Sequence, residues 1–411
     1  MHARIPTLAR PATLRPATVL PAALMLLAAC SPDAGPEGAT TQVQVRDSAG
    51  VRIVEHPPAE GPPVAVPDSA VLALGQGDDP DYLFASIMGL VALDGGRVAV
   101  GESDGTIRIF GPDGSLERRT GGNGEGPGEF AFLGRMTLLA GDTLGVPDGR
   151  RGRTQFFTPS GDHLRETRWN GRVPGMPEGA SGCFTPNVWD VFDDGALLML
   201  GYPCVIGTGE PGPRDYRADL LIVDDETVTE VETITVMTVT EDPSAEEPFM
   251  QFVPPPLYGR PALAAHEGRI LVALPSLGLR IRALRPDGSV AWDLRDATPE
   301  RPLTPDLQRR IEESWSSTQM LMYDEPVWPE TLEGWDTLKV TADGAIWARS
   351  MKPWPDPAGE IWTRFSADGT ARSRWQLPAG FTLHDVRDGL AWGVTTDEMG
   401  VEEVVALPLP E

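Results

Sequence analysis

The chain has 411 residues, enough for two or three ordinary domains or for one large domain built from repeats. Its formal net charge is −26, and a field of that sign repels phosphate backbones and anionic lipid headgroups. Composition and charge therefore argue against a nucleic-acid partner. An acidic surface also keeps a protein soluble, and this explanation of the charge is sufficient. The net charge therefore does not identify a ligand.

Residues 1–29 form a segment of their own. A start with three arginines and no acid precedes an apolar run from Thr18 to Ala29, which is too short to span a bilayer. The following pattern, Leu27-Ala28-Ala29-Cys30, resembles a bacterial lipoprotein signal peptide. The resemblance implies cleavage before Cys30, a lipid on Cys30 and an envelope location, and Ser31 resembles the signal for an outer membrane. Residues 30–46 contain little that could be buried and are predicted to form a flexible tether.

Cysteine usage fits an oxidising compartment. With Cys30 lipidated, only Cys183 and Cys204 remain, and both lie in Gly/Pro-rich surroundings. We predict a disulfide between them. Two buried thiols or a metal pair are the alternatives, and no histidine is near enough in sequence to favour a metal.

From about residue 70 the chain alternates short apolar strands with two kinds of turn. The first kind recurs six times, at 93–96, 140–142, 193–195, 267–268, 342–344 and 388–389. The second kind recurs five times, at 112–114, 159–161, 224–225, 286–288 and 367–369. If the strands of a repeat are named A to D, the first turn joins A to B and the second joins C to D.

The last repeat, near residues 381–408, lacks its C–D turn and therefore its fourth strand. A spare strand, Val71-Leu72-Ala73-Leu74, precedes the first repeat. We predict that this strand completes the last sheet and closes a ring, since otherwise both end sheets would expose unpaired edges.

The stretch Gly124-Glu125-Gly126-Pro127-Gly128-Glu129-Phe130 resembles the inter-blade signature of NHL-repeat β-propellers, and residues 145–161 resemble the strands that follow it. The resemblance and the turn census imply an all-β fold over 47–411, a six-bladed β-propeller closed by an N-terminal strand. A seven-bladed ring with one blade in residues 296–334 is the alternative.

In such a blade the D-to-A and B-to-C connections leave at one end of the ring, the loop face, and the A–B and C–D turns lie at the other, the turn face. The insertions at 171–187, 239–257, 296–334, 201–217 and 350–360 all belong to the loop face, where binding residues usually lie. One of them is predicted to hold the only substantial helix, over about 303–324. Their aromatic residues are candidate binding residues, or else they pack the loops onto the ring: Phe249, Phe252, Tyr258, Trp315, Tyr323, Trp328 and Trp354.

Catalytic motifs are weak. Gly101-Glu102-Ser103-Asp104-Gly105 matches the nucleophile-elbow string, but a strand follows it where that chemistry needs a helix. Three residues on or near inner strands are candidates for the channel: Asn187, His384 and Asp385. No cofactor is predicted, although carboxylates near the channel leave room for a divalent ion.

These features favour a lipid-anchored, non-enzymatic envelope protein that binds a protein, peptide or glycan through its loop face. A metal-dependent hydrolase or lyase at the channel mouth, similar to propeller lactonases, is the alternative. The sequence identifies neither the partner nor the oligomeric state.

Overall fold

The structure is a computed structural model that describes residues 42–410, except 77–78, 85, 169–184, 203–209, 225–226, 245–251, 317–318, 321–322, 324–325, 327, 333, 354–357 and 398. Four short strands precede the hairpin repeats: β1 (Gln44–Ser48), β2 (Val51–His56), β3 (Val64–Ala65) and β4 (Leu72–Leu74). β1 begins inside the segment predicted as a tether, because it forms a hairpin with β2.

Among the described residues, the later strands form six large sheets, here called blades 1 to 6, and one two-stranded sheet. Blade 1 has β5 (Ile87–Ala92), β6 (Val98–Glu102), β7 (Thr106–Phe110) and β8 (Leu116–Gly121); blade 2 has β9 (Thr137–Leu139), β10 (Thr143–Asp148), β11 (Arg153–Phe157) and β12 (His163–Arg168). Blade 3 has β13 (Thr185–Val191), β14 (Leu197–Tyr202), β15 (Gly212–Val223), β16 (Val228–Glu241) and β17 (Phe252–Val253); blade 4 has β18 (Ala262–His266), β19 (Arg269–Ala273), β20 (Arg280–Leu284) and β21 (Val290–Asp296).

Between blades 4 and 5 lie two short strands, β22 (Arg301–Pro302) and β23 (Thr331–Leu332), which pair with each other. Blade 5 has β24 (Trp335–Val340), β25 (Ile346–Ser350), β26 (Ile361–Phe365) and β27 (Arg372–Gln376), and blade 6 has β28 (Thr382–Arg387), β29 (Leu390–Thr396) and β30 (Glu402–Pro408). Short 3-10 turns occur at Asp94–Gly96, Ala140–Asp142 and Pro275–Leu277. Antiparallel pairing of β4 with β30 supplies the fourth strand of blade 6, as the sequence predicts.

Six hydrophobic clusters close the ring, one between each pair of neighbouring blades. The strand pattern explains them, because successive side chains point to opposite faces of a strand. In β6, Ala99 packs toward blade 2, while Val98 and Val100 pack toward blade 6. The predicted all-β fold with an N-terminal closing strand is thereby confirmed, and the described residues form six blade sheets.

The glycine-rich loop from Gly121 to Phe130 connects blade 1 to blade 2. A side chain at Gly121, whose φ is +82°, would place its Cβ 2.4 Å from the carbonyl oxygen of Gly105. Phe130 is fully buried against Phe157, and the buried Arg153 donates 2.6 Å to the carbonyl of Glu129. The loop is therefore built into the ring rather than exposed as a ligand cradle.

The insertion between blades 4 and 5 holds the helix α1 (Pro305–Glu313), not a seventh blade. Thr304 caps its start by accepting from the amide of Leu307, and Leu307 and Ile311 pack against Leu332 and Met351. The predicted span of about 303–324 is interrupted after Glu313, and residues 319–320 are helical again. α1 ends at Glu313, because the hydroxyl of Ser314 donates 2.6 Å to the carbonyl of Ile311 and satisfies it there.

Blade 3 also differs from the prediction. Residues 212–217 and 239–241, taken as loops from the sequence, extend the hairpin of β15 and β16 beyond the length of the other blades. Alternating Thr and Val residues in β16 suit a pleated strand, so the pairing continues where the repeat alone would end it.

The strands β1 to β4 and the residues between them, which we call the N-terminal strap, run along the outside of three blades. β2 pairs in parallel with β21 of blade 4, β3 pairs in parallel with β27 of blade 5, and β4 completes blade 6.

Two polar anchors hold the strap. The buried His56 donates from Nε2 to the carbonyl of Gly369 at 2.7 Å, and burial lowers the pKa of its ring. Arg372 bridges the carbonyl of Pro57 and the buried carboxylate of Asp296.

Candidate functional site

The six inner strands, one from each blade, surround a central cavity of about 610 Å³. Its lining extends from Met88 and Arg135, near the starts of inner strands, to the A–B turns at Asp142 and Glu267. The cavity is thus a channel along the ring axis that reaches the turn face. Its volume falls in the range of small-molecule sites.

His384 and Asp385, both candidates from the sequence, lie in the wall of this channel. The carboxylate of Asp385 is already used: it accepts from the amide of Val386 at 2.7 Å and from that of Ala92, in blade 1, at 2.9 Å. Burial raises the pKa of this carboxyl group, and the two amides oppose that rise. Asp385 therefore joins blade 6 to blade 1.

The same arrangement occurs across the ring at Asp190. Its carboxylate accepts from the amide of Val191 and from that of Ala265 in blade 4, both at 2.9 Å, and from the hydroxyl of Thr137 at 2.7 Å. Because two blades use an aspartate in the same way, we assign the clamp as a structural device of the repeat.

His384 lies next to this clamp, at a β-bulge in β28. The residue at the corresponding bulge of blade 3 is Trp189, whose indole nitrogen donates 3.0 Å to the carbonyl of Leu263 in blade 4. His384 makes no such bond to any described residue. Burial, with the charges of Lys339 and Arg135, lowers the pKa of His384 to about 3, so its ring is neutral at physiological pH.

Lys339 is the residue that sequence reasoning missed. Leu338 and Val340 pack between blades 4 and 5, so strand alternation turns Lys339 the other way, into the channel. Its ammonium has no hydrogen bond or ion pair in the described part of the chain. Burial, followed by the charge of Arg135, lowers the pKa of Lys339 to about 7. The signal in the sequence that could have identified Lys339 was a lysine at an inward-facing position of an inner strand.

The other cations of the wall divide into two groups. Arg349 is paired with Asp336 at 2.7 Å and with Glu360 at 2.6 Å, and Arg387 is paired with Asp142 at 2.9 Å. Arg135, which also lines the channel, has no pairing with any described carboxylate. The channel therefore presents Arg135, Lys339 and His384 as unused polar groups.

On the loop face, three of the predicted aromatic residues form a cluster beside α1. The rings of Trp315 and Trp328 are stacked, 5.7 Å apart and 5° from parallel, and Tyr323 lies 5.0 Å from Trp315. All three are partly exposed, as is Tyr258. Burial raises the pKa of Tyr323, with a smaller contribution from Tyr258, which places the two phenols near each other.

The other predicted site residues lie wholly or partly outside the described residues. Cys30, Cys183, Cys204, Phe249 and Trp354 are not described, and for Asn187 in β13 and Phe252 in β17 only the backbone is. The predicted disulfide and lipidation thus stay predictions. Among the described side chains, no group of three or more His, Cys, Asp or Glu residues is arranged to hold a metal ion. Nor is any described helix long and apolar enough to cross a membrane.

No protein-family model matches the chain, and no curated protein sequence matches it. Among solved structures, a protein from Bacteroides fragilis aligns with a TM-score of 0.43 and 10% identity, covering 87% of this chain and 100% of its own. Virginiamycin B lyase from Staphylococcus aureus aligns with a TM-score of 0.37 and 11% identity, covering 82% and 98%. The calcium-binding protein regucalcin from Agrobacterium tumefaciens gives 0.37 and 10%, covering 84% and 97%. Scores this low carry no argument about activity, and the fold assignment rests on the sheet order and the six inter-blade cores.

Proposed function

We propose that this protein is an NHL-like, lipid-anchored β-propeller of the bacterial envelope that binds a protein, peptide or glycan on its loop face. The lipid anchor and envelope location rest on the signal sequence before Cys30. The binding role rests on the loop face, which carries the long connections, while the turn face keeps short, glycine-containing turns.

The aromatic cluster of Trp315, Tyr323 and Trp328 is the observation that carries this proposal. Part of the cluster has a packing role, since Trp315 and Trp328 touch the core beneath α1. The rings nevertheless remain partly exposed, and the buried indole nitrogen of Trp328 has no hydrogen-bond partner among the described residues. Flat, partly exposed aromatic faces suit a sugar ring or the side chains of a peptide.

The test is recovery of partners from crosslinked membranes. We expect the wild type to recover a partner that Trp315→Ala loses and Trp315→Phe retains, because phenylalanine keeps an aromatic face. Leu164→Ala, at an exposed apolar residue of β12 on the outer edge of blade 2, is the matched control and should behave as the wild type. Recovery of the same proteins by every variant would contradict the proposal.

Two further measurements address the anchor and the alternative function. Cys30→Ala should release the protein from the membrane fraction. Metal analysis of protein purified without chelator addresses a metal-dependent hydrolase or lyase at the channel mouth. A stoichiometric divalent ion that is lost together with a hydrolytic activity would favour that alternative over a pure binder.

A further inference from the structure

In the channel wall, most acidic side chains have hydrogen-bond partners, whereas several basic side chains do not. Of the five acids that line it, four already accept hydrogen bonds: Asp142, Asp190, Asp193 and Asp385. The fifth, Glu267, is exposed at the turn face. The side chains of Arg135, Lys339 and His384, and of His266 at the turn-face end, have no hydrogen-bond or ion-pair partner in the described part of the chain. The wall therefore offers unused donors, although the whole protein is strongly acidic.

The choice of lysine in the channel is itself informative. The chain has 34 basic residues, and only two of them, Lys339 and Lys352, are lysines. A chain that otherwise uses arginine places a compact ammonium with three donors in its central cavity. Lysine differs from arginine in that it loses its proton readily when buried, so its charge responds to what occupies the cavity.

Lys339 is partly buried and Arg135 is exposed, and both face the same cavity, where their like charges disfavour each other and attract an anion. No described carboxylate forms an ion pair with Lys339 or Arg135. Asp385 is held by backbone amides and Glu360 by Arg349 and Trp362, and both act on Lys339 only through their charge. We propose that the channel is a binding site for a small anion with a carboxylate or phosphate group, held by Lys339 and Arg135 with His384 as a neutral hydrogen-bonding partner.

Proton uptake accompanies binding in this arrangement. Arg135 and Arg349 disfavour the charged form of Lys339, and Asp385 and Glu360 favour it. A bound anion stabilises the protonated form of the amine. Near pH 7 the anion-bound protein therefore carries a proton on Lys339 that a fraction of the free protein has lost. Affinity for the anion therefore rises as the pH falls from about 9 to about 6.

The two lysines make the test direct. Reductive methylation of the purified protein with ¹³C-formaldehyde keeps both amines basic and titratable and gives one NMR signal for each lysine side chain. Inorganic phosphate and succinate are the anionic probes, and glucose is the neutral one. Lys339→Met assigns the channel signal, and Lys352→Met is the matched control, since Lys352 lies outside the cavity lining.

We expect phosphate or succinate to shift the Lys339 signal saturably, to raise its titration midpoint, and to leave the Lys352 signal and the glucose spectrum unchanged. Which anion binds more tightly distinguishes a phosphate ligand from a carboxylate ligand. Tryptophan fluorescence, through Trp362 in the cavity wall, gives the affinity of unmethylated protein. Lys339→Met should weaken binding about tenfold or more, and Lys339→Arg less, because charge-assisted hydrogen bonds are lost in the first and kept in the second.

Thermal unfolding of each variant separates loss of binding from loss of folding. The proposal is overturned if neither anion moves the Lys339 signal, or if folded Lys339→Met binds as tightly as the wild type. It is also overturned if glucose produces the same shift. These results are independent of the loop-face partner, so either proposal can fail without the other.

Discussion

The anchor beneath the N-terminal strap and the channel wall both contain charged side chains, but they use them in opposite ways. Beneath the strap, Arg372 of blade 5 holds the carbonyl of Pro57 and meets the carboxylate of Asp296 of blade 4, whose side chain is 1% exposed, at 2.6 Å. In the channel, the partly buried Lys339 and the exposed Arg135 face a cavity without an ion-pair partner among the described residues. A buried charge with a partner maintains the fold, whereas one without a partner costs stability and is retained for another reason.

The largest expected effect comes from removing the strap. A chain that begins at Gln76 lacks β1 to β4 and leaves the edge of β30 unpaired, with Val404 and Ala406 no longer covered. We expect it to lose most or all of its stability, about 5–15 kcal/mol for a typical domain, and to aggregate through the open edge. Gel filtration and thermal unfolding measure this. A chain that begins at Gln42 keeps the strap and is the control; equal stability of the two chains would show that the strap is dispensable.

A smaller effect is expected from breaking one anchor of the strap. Arg372→Ala leaves the buried Asp296 without its cation and should lower the free energy of unfolding by about 3–5 kcal/mol, measured by urea denaturation. Arg118→Ala removes an exposed pair with Asp162 and should cost less than about 1 kcal/mol. Similar losses for the two variants would mean that burial of the strap anchor has no energetic consequence.

The smallest change in the free energy of unfolding is expected from a substitution in the channel, and this change is stabilising. Lys339→Met removes an unpaired cation and should raise the free energy of unfolding at pH 6–7 by about 0.5–2 kcal/mol. Folding lowers the pKa of Lys339 to about 7, so between about pH 7 and 10.5 the unfolded chain holds a proton that the folded chain has lost. The free energy of unfolding of the wild type therefore rises with pH across that window. Below the window, the charged Lys339 lowers the free energy of unfolding.

Denaturation at a series of pH values checks this, and the difference between variant and wild type should shrink as the pH approaches 10. Lys352→Met should show no such pH-dependent difference. Destabilisation by Lys339→Met at every pH would place Lys339 with the strap anchors instead and remove the contrast between the two regions.

The repeat could be predicted because its signals are local. Turns such as Pro112-Asp113-Gly114 combine a glycine of positive φ with an aspartate that accepts from the amide two residues later, and both features are visible in sequence. β2 and β3 were not predicted, because they have no hairpin turn to a blade and their parallel partners lie more than 200 residues away in the chain. β1, which pairs only with β2, was missed with them. Only β4 was predicted from the missing fourth strand of the last repeat.

The site was less predictable than the fold. His384 and Asp385 were recognised as inner-strand residues, but the sequence cannot show that the carboxylate of Asp385 is taken by the distant amide of Ala92. Lys339 was missed for a related reason. A free charge is defined by the partners it lacks, and the partners of a side chain in a ring come from several blades at once.

Pairing of β4 with β30 joins the two ends of the propeller in one sheet. During synthesis, the β4 segment emerges long before β30, so the early intermediates carry an unpaired terminal segment. Ring closure is then the last step, and it depends on contacts between residues far apart in the chain, which slows folding. A ribosome-released fragment without β30 cannot complete this step, so only full-length chains reach the closed state.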